Sequence, residues 1–471
     1  MQLMVTSLLT AVAAAGPSCD PMASTASAFC LNTGNNAWML TSAVIVLMMT
    51  VPALAFFYGG MVRAKSVLNM LMMNYIAAGI VGFVWLLWGY SMAFGTGTTG
   101  INQFVGNPFQ FFGLQGLVES ATDGSASSFS PLATTGVPAF TVVAFQVTFA
   151  VITVALITGA IADRMKFGSW IVFTVVWATI VYFPLAHMVW AGGFLGVGGF
   201  ISQHLSTPID FAGGTVVHID AGAAGLALAL LLGRRKGWPR EPMRPHNLPY
   251  VMLGAALLWV GWFGFNAGSE GAADGTAARA WLNTFVATCV AMLAWLATEK
   301  LRDGHATSLG AASGIVAGLV AITPAAATVD TWGAMVIGLV AGALCAIAIG
   351  IKYKFGFDDA LDVVGVHLVG GLTGTVLIGF LATNNQGAWY PAGAKNGLLY
   401  GGGVTQLLTQ VVAAAFALVF SFVLTWVIAS VIKAVRGIRL SQEVEVGGID
   451  LAVHGESAYD TIGARISSEV E

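Results

Sequence analysis

PAFTVVAFQVTFAVITVALITGAIADRMK, residues 138–166, decides the fold class. Positions 138–161 hold no charged side chain, and Asp163, Arg164 and Lys166 then arrive together. Wound as a helix at about 1.5 Å per residue, the uncharged part measures about 36 Å, enough to cross a hydrocarbon core of about 30 Å. A basic cluster directly after such a run is the usual flank of a segment held on one side of a bilayer.

The same signature repeats in both directions. Apolar windows predict eleven spans, roughly 38–58, 68–94, 138–161, 167–186, 213–232, 248–268, 280–298, 307–323, 332–351, 363–382 and 404–432. Composition agrees, with 57% hydrophobic and 9% charged residues in a chain of 471, against roughly 25% charged in a soluble domain. The net charge of −3 is too small to imply a charged partner, and nothing suggests nucleic acid. Continuous apolar runs, rather than strict alternation, exclude a transmembrane β-barrel.

Basic residues sort by side. Arg63 and Lys65, Arg164 and Lys166, Arg234 to Lys236 with Arg240 and Arg244, Lys300 and Arg302, and Lys352 and Lys354 occupy every second linker. With Lys433, Arg436, Arg439 and Arg465 in the tail, only Arg279 and Lys395 of the 19 Lys and Arg fall on the other side. The positive-inside rule then predicts an all-α integral membrane protein with its N-terminus out and its C-terminus in.

An odd number of spans, divided after the fifth, leaves two five-helix sets running in opposite directions, an inverted repeat. The expected parts are an extracytoplasmic segment 1–37, repeats at 38–232 and 248–403, an eleventh helix at 404–432 and a cytoplasmic tail at 433–471. Met1 to Gly16 is apolar like a signal peptide but lacks a basic start. Cys19 and Cys30 read equally as a disulfide or as two free thiols. Cys289 and Cys345, inside apolar runs, read as packing.

Only two of the seven histidines lie deep in spans. His218 and His367 each follow a span start, near Asp210 and Asp359, by eight residues, which puts both rings roughly 12 Å into the membrane from opposite faces. Glycines follow both at matching offsets, Gly222 and Gly225, then Gly371 and Gly374. A single intramembrane histidine is ordinarily a hydrogen-bonded packing residue; a symmetry-related pair at one depth points to a pathway. Neutral imidazoles donate and accept along a pore and cost far less to bury than permanent charges. No Asp, Glu or Cys sits at ligand spacing beside them, so a metal site is the weaker reading.

The sequence resembles the Amt/Mep/Rh ammonium transporter family along nearly its whole length. The resemblance rests on AFFYGGMVR at 55–63, AFQVTFA at 144–150, DFAGGTVVH at 210–218, GWFGFNAGS at 261–269 and GVH at 365–367, in that order. It implies a recruitment site for ammonium made of Phe145, Trp190 and Ser269, a gate of Phe149 and Phe265, and a pore lined by His218, His367 and Trp262. It also implies that Asp210 supports the outer site, although the residue itself reads first as a helix N-cap.

The tail motifs Gly448-Ile-Asp450 and His454-Gly-Glu456 resemble the family's regulatory C-terminal region. That implies a homotrimer in the plasma (inner) membrane, a PII-type cytoplasmic regulator, nitrogen uptake as the role, and neither cofactor nor covalent chemistry. One alternative within transport is a gas channel; one of another class is a receptor that senses ammonium without moving it. Asp220, two residues beyond His218, should face away from the pore and pair at a helix or subunit contact.

Overall fold

The computed structural model describes residues 31–117, 135–241, 243–384 and 390–459. The leader with Cys19 and Cys30, part of the loop between the second and third spans, and Arg465 lie outside the described residues. Among those described, no strand occurs beyond one isolated bridge, Met165 to Arg439.

Among the described residues, ten helices are long and apolar enough to cross a membrane. They are α1 (Thr33–Met61), α2 (Ala64–Phe94), α3 (Ala139–Ile161), α4 (Phe167–Trp190), α5 (Gly214–Leu232), α6 (Leu248–Gly268), α7 (Gly275–Asp303), α9 (Thr331–Phe355), α10 (Val364–Leu381) and α11 (Thr405–Arg436). Between α7 and α9 lies α8 (Ser308–Ile322), with 15 residues. At about 22 Å it is shorter than the hydrocarbon core, so the span expected at 307–323 is present as a short apolar helix. Its limit is chemical: Pro324 brings no backbone N–H, so the helical ladder does not continue past Thr323.

Helix starts follow capping chemistry. Asn32 accepts from Asn35 N–H and begins α1 at Thr33, five residues before the sequence estimate. Asp274, Thr307 and Asp330 do the same for α7, α8 and α9. Within the helices, hydroxyls turn back on their own backbone, as Thr284 does on the Ala280 carbonyl and Thr288 on the Thr284 carbonyl. That satisfies polar atoms where hydrocarbon offers no partner.

The bundle is layered by burial. α3 and α5 are buried along most of their length, and α10 follows. Outward faces instead expose large apolar side chains, among them Val44 at 69%, Phe83 at 64% and Trp332 at 75%. Such a surface suits a hydrocarbon solvent. α5 and α10 cross at close range, since a Cβ on Gly222 would come 2.5 Å from the Leu368 amide nitrogen; small residues permit this approach.

At the basic end a buried ionic network ties the linkers together. Arg235 holds Asp358 through two side-chain bonds of 2.9 Å and a backbone bond of 2.8 Å. Asp163 bridges Arg63 at 3.1 Å and Arg235 at 3.6 Å. Arg164 donates to the carbonyls of Ala160 and Asp358. Burial opposes ionisation of Asp358, but its bonds to Arg235 and the nearby Arg164 hold its carboxyl below the ordinary range. A depressed acid contributes stability above its unfolded-state pKa and loses it as pH falls through the lowered folded value.

Removing Arg235 takes from Asp358 its two closest side-chain bonds and leaves that buried carboxylate only Arg164 at 3.8 Å. Arg235→Ala should therefore destabilise the folded protein by about 3–5 kcal/mol, measured as an earlier thermal unfolding transition in detergent. An unchanged transition would mean that the network carries no stability.

The tail packs on the same end. Asp450 accepts from the amides of Leu68 and Asn69 at 3.0 and 2.8 Å, capping the first turn of α2. Glu445 takes Arg439 at 2.8 Å and the Lys236 amide at 2.7 Å. His454 meets the Asn69 side chain at 3.1 Å.

Candidate functional site

Asp210 organises the site by backbone capture. Its Oδ1 accepts from the amides of Gly213 and Gly214 at 2.9 and 2.5 Å, and its Oδ2 from Thr215 and Val216 at 2.9 and 3.2 Å, with the Thr215 hydroxyl added. The expected capping role is thus present, but the carboxylate gathers four amides beyond a turn at Gly213, whose φ of +115° suits glycine. The turn it fixes, Gly214–Ile219, is wound wider than an α-helix and carries His218.

α10 opens the same way. Asp359 accepts from the amides of Val363 and Val364 at 3.1 and 2.7 Å, and the wide turn Val364–Leu368 carries His367. Wide turns of this kind re-aim a side chain and are frequent at functional sites. Asp359 served in the sequence only as a helix start. The repeated spacing from aspartate to histidine was the signal that could have given it the same anchoring role. Burial, with Asp362 nearby, pushes its carboxyl up to about 6.

The two rings meet. His218 and His367 face each other with Nδ1 atoms 3.4 Å apart and ring planes 30° from parallel. Both are buried, at 1% and 2% exposure. A bond between two Nδ1 atoms requires opposite tautomers: the donor ring keeps a bare Nε2 and the acceptor ring carries its proton on Nε2. The pair thus offers one acceptor and one donor to a small polar solute. Trp262 lies 5.5 Å from His218, its ring held by a 2.8 Å bond from Nε1 to the Thr323 hydroxyl.

Aromatic rings continue from His218 toward the end opposite the basic linkers. Phe265 lies 6.3 Å from the His218 ring and stacks on Phe149 at 4.1 Å and 21°. Phe145 lies 4.9 Å from Phe149, and Trp190 stands edge-on to Phe149 at 6.0 Å and 90°. Trp190 donates from Nε1 to the Asp210 carbonyl at 3.0 Å, so one aspartate fixes both the tryptophan and the turn that bears His218. The Ser269 hydroxyl spends its proton on the Phe265 carbonyl at 2.8 Å, leaving lone pairs to accept.

Eight of the nine residues singled out in the sequence therefore lie along one column, and the ninth, Asp210, anchors it through backbone amides and the Trp190 indole. Phe145, Phe149, Phe265, Trp262 and both histidines are buried, while Trp190 and Ser269 are only partly covered at its end. Phe149, which sequence alone put nearer mid-span, stacks on Phe265 because α3 and α6 both pack on α1 and meet through their side chains. Glu270, next to Ser269, was missed; burial, with Asp274 nearby, pushes its carboxyl up to about 7. Its charge at this end grows as pH rises through neutrality. Among the described residues no cluster of His, Cys, Asp or Glu is suited to a metal ion.

The sequence profile of the Ammonium Transporter Family matches residues 37–459. An ammonium transporter of Mycobacterium tuberculosis is 56% identical over 436 residues, covering 91% of this chain and 90% of that protein. One from Aquifex aeolicus is 47% identical over 431 residues, covering 91% and 94%. The crystal structure of Saccharomyces cerevisiae Mep2 superposes with a TM-score of 0.77 at 33% identity, covering 87% of this chain and 88% of that one. Since the match is with transporters and runs from the first helix into the tail, the chain belongs to the ammonium transporter family.

Proposed function

We propose that this transporter takes ammonium apart: it recruits the cation at Phe145, Trp190 and Ser269, releases a proton there, and conducts ammonia past Phe149 and Phe265 along His218, His367 and Trp262. The observation that carries this reading is the closed aromatic column ending on two buried imidazoles. An ammonium ion over the Trp190 face gains roughly 2 kcal/mol or more once desolvated. Moving it on into a low-dielectric interior carries an idealised cost of about 20 kcal/mol. Burial also lowers an amine's pKa by up to about 3–5 units, so giving up the proton is the cheaper route. Ammonia crosses the column and the proton moves separately.

The inverted repeat, with parts 38–232 and 248–403 flanked by a segment at 1–37, an eleventh helix at 404–432 and a tail at 433–471, is supported by the matched turns at Asp210–His218 and Asp359–His367. Grouping of basic residues supports the N-out, C-in orientation in the plasma (inner) membrane. Nitrogen uptake is the proposed role, and a homotrimer with a PII-type regulator at the tail is the proposed assembly.

Two measurements test the site. Purified protein in vesicles should give a current in response to ammonium pulses; ammonia permeation without current would favour the gas channel, and no flux at all the receptor. Trp190→Leu removes the cation–π contact and should weaken apparent ammonium affinity about thirtyfold, the equivalent of about 2 kcal/mol. An unchanged affinity would move recruitment away from Trp190.

A further inference from the structure

Asp220 sits in α5 two residues beyond His218, fully buried at 0% exposure, and neither carboxyl oxygen has a hydrogen-bond partner. An ionised carboxylate in that position carries a desolvation cost that nothing nearby offsets. Two other helices bring hydroxyl groups near it. Ser421 of α11 stands beside the carboxyl, and its hydroxyl donates to the Asp220 backbone carbonyl at 2.8 Å. Tyr182 of α4 is within electrostatic range, and its hydroxyl faces Thr153 of α3.

Proton counting restricts the state of the acid. A serine hydroxyl has one proton and two lone pairs. The Ser421 proton is committed to the carbonyl, so toward the Asp220 side chain it can only accept. The Thr153 proton is likewise committed, to the Phe149 carbonyl at 2.6 Å, so Thr153 can only accept from Tyr182 and the Tyr182 proton is spent there. A carboxylate, which only accepts, finds no donor in this arrangement; a carboxylic acid finds an acceptor.

We propose that Asp220 is a neutral carboxylic acid that donates its proton to Ser421, forming a reciprocal pair that pins α5 to α11 and holds His218 in register with His367. Asp220 is thus a positioning residue acting through His218, and its function depends on the ammonium-splitting reading above. A carboxylic acid kept neutral inside a protein so that it can donate is a known use of an apolar site. The occurrence of an acid within a span, otherwise a costly choice, then has a structural reason.

The test is infrared difference spectroscopy on the full-length protein in lipid, combined with ammonium-evoked current. Wild type should show the carbonyl band of a protonated carboxylic acid that shifts in D2O, is lost in Asp220→Asn, and moves to higher frequency in Ser421→Ala as the hydrogen bond is removed. Asn keeps a donor, so Asp220→Asn should stay within about twofold of the wild-type current, whereas Asp220→Leu should lose tenfold or more, since a small misplacement of a working group can cost about 100-fold. Absence of the band would overturn the proposal. So would an Asn variant as impaired as the Leu variant, because the acid would then be moving a proton rather than holding one. If wild type shows the band but no ammonium-evoked flux, the ammonium-splitting reading fails and the link to His218 fails with it, while the state of the acid stands.

Discussion

The His218→Ala/His367→Ala double variant loses the ammonium-evoked current by at least about 100-fold, the lower range for removing a positioned proton-transfer group. The reason is geometric. Two neutral rings sharing an Nδ1 contact of 3.4 Å present one acceptor and one donor within an aromatic and apolar column. Two alanines leave a wider, drier passage in which neither ammonia nor a proton finds a hydrogen bond. Current is recorded on vesicles of matched protein content, alongside ammonia permeation followed with an internal pH dye. An intact current in the variant would remove the histidines from the proton route; a larger, less selective current would instead assign them to excluding bare ions.

The second large effect is at Asp210. Asp210→Asn keeps the shape of the side chain but replaces one oxygen with an NH2 group, which then faces amide donors instead of accepting from them. Whichever way the amide turns, at least two of the four backbone bonds are lost, and a buried amide left without a partner costs about 1–3 kcal/mol. The turn Gly214–Ile219 must move, and with it His218; the Trp190 indole, anchored on the Asp210 carbonyl, loses its fixed plane. Transport should fall about 100-fold, the scale of a 1 Å misplacement. Because the same change weakens folding, ammonium flux is normalised to protein that elutes as one symmetrical peak in detergent. A variant that folds normally and transports normally would reduce Asp210 to an ordinary helix cap.

Much of this architecture was legible in the chain. Predicted spans and observed helices agree within about five residues at most ends, because apolar runs and capping residues are local signals: Asp274 before α7 and Asp330 before α9 mark their helices without help from any distant residue. α8 matches its window, Ser308–Ile322 against 307–323, but a hydropathy window does not register that Pro324 and the turn after it keep this helix shorter than its neighbours.

The site was legible in part. Motif resemblance supplied Phe145, Trp190, Ser269, Phe149, Phe265, Trp262 and the histidine pair, while depth alone supplied only the two histidines. Glu270 had no signal at all: next to Ser269 in the chain, it looks like any surface acid, and only its burial near Asp274 raises it to about 7. Asp220 stood out as an acid in a span, but its partner Ser421 lies 201 positions away, beyond any local pattern.

The sequence by itself determined which segments are helical, which ends carry the positive charge and that two histidines lie deep, because those properties follow from side-chain hydrophobicity, capping and spacing along one chain. Only the tertiary structure decided that the two histidines touch, that one aspartate holds both a tryptophan and a histidine, and that Arg235 reaches Asp358. Such contacts join residues far apart in the chain. They exist because close crossings such as Gly222 against Leu368 bring helix backbones near enough for polar groups to find partners where the bilayer offers none.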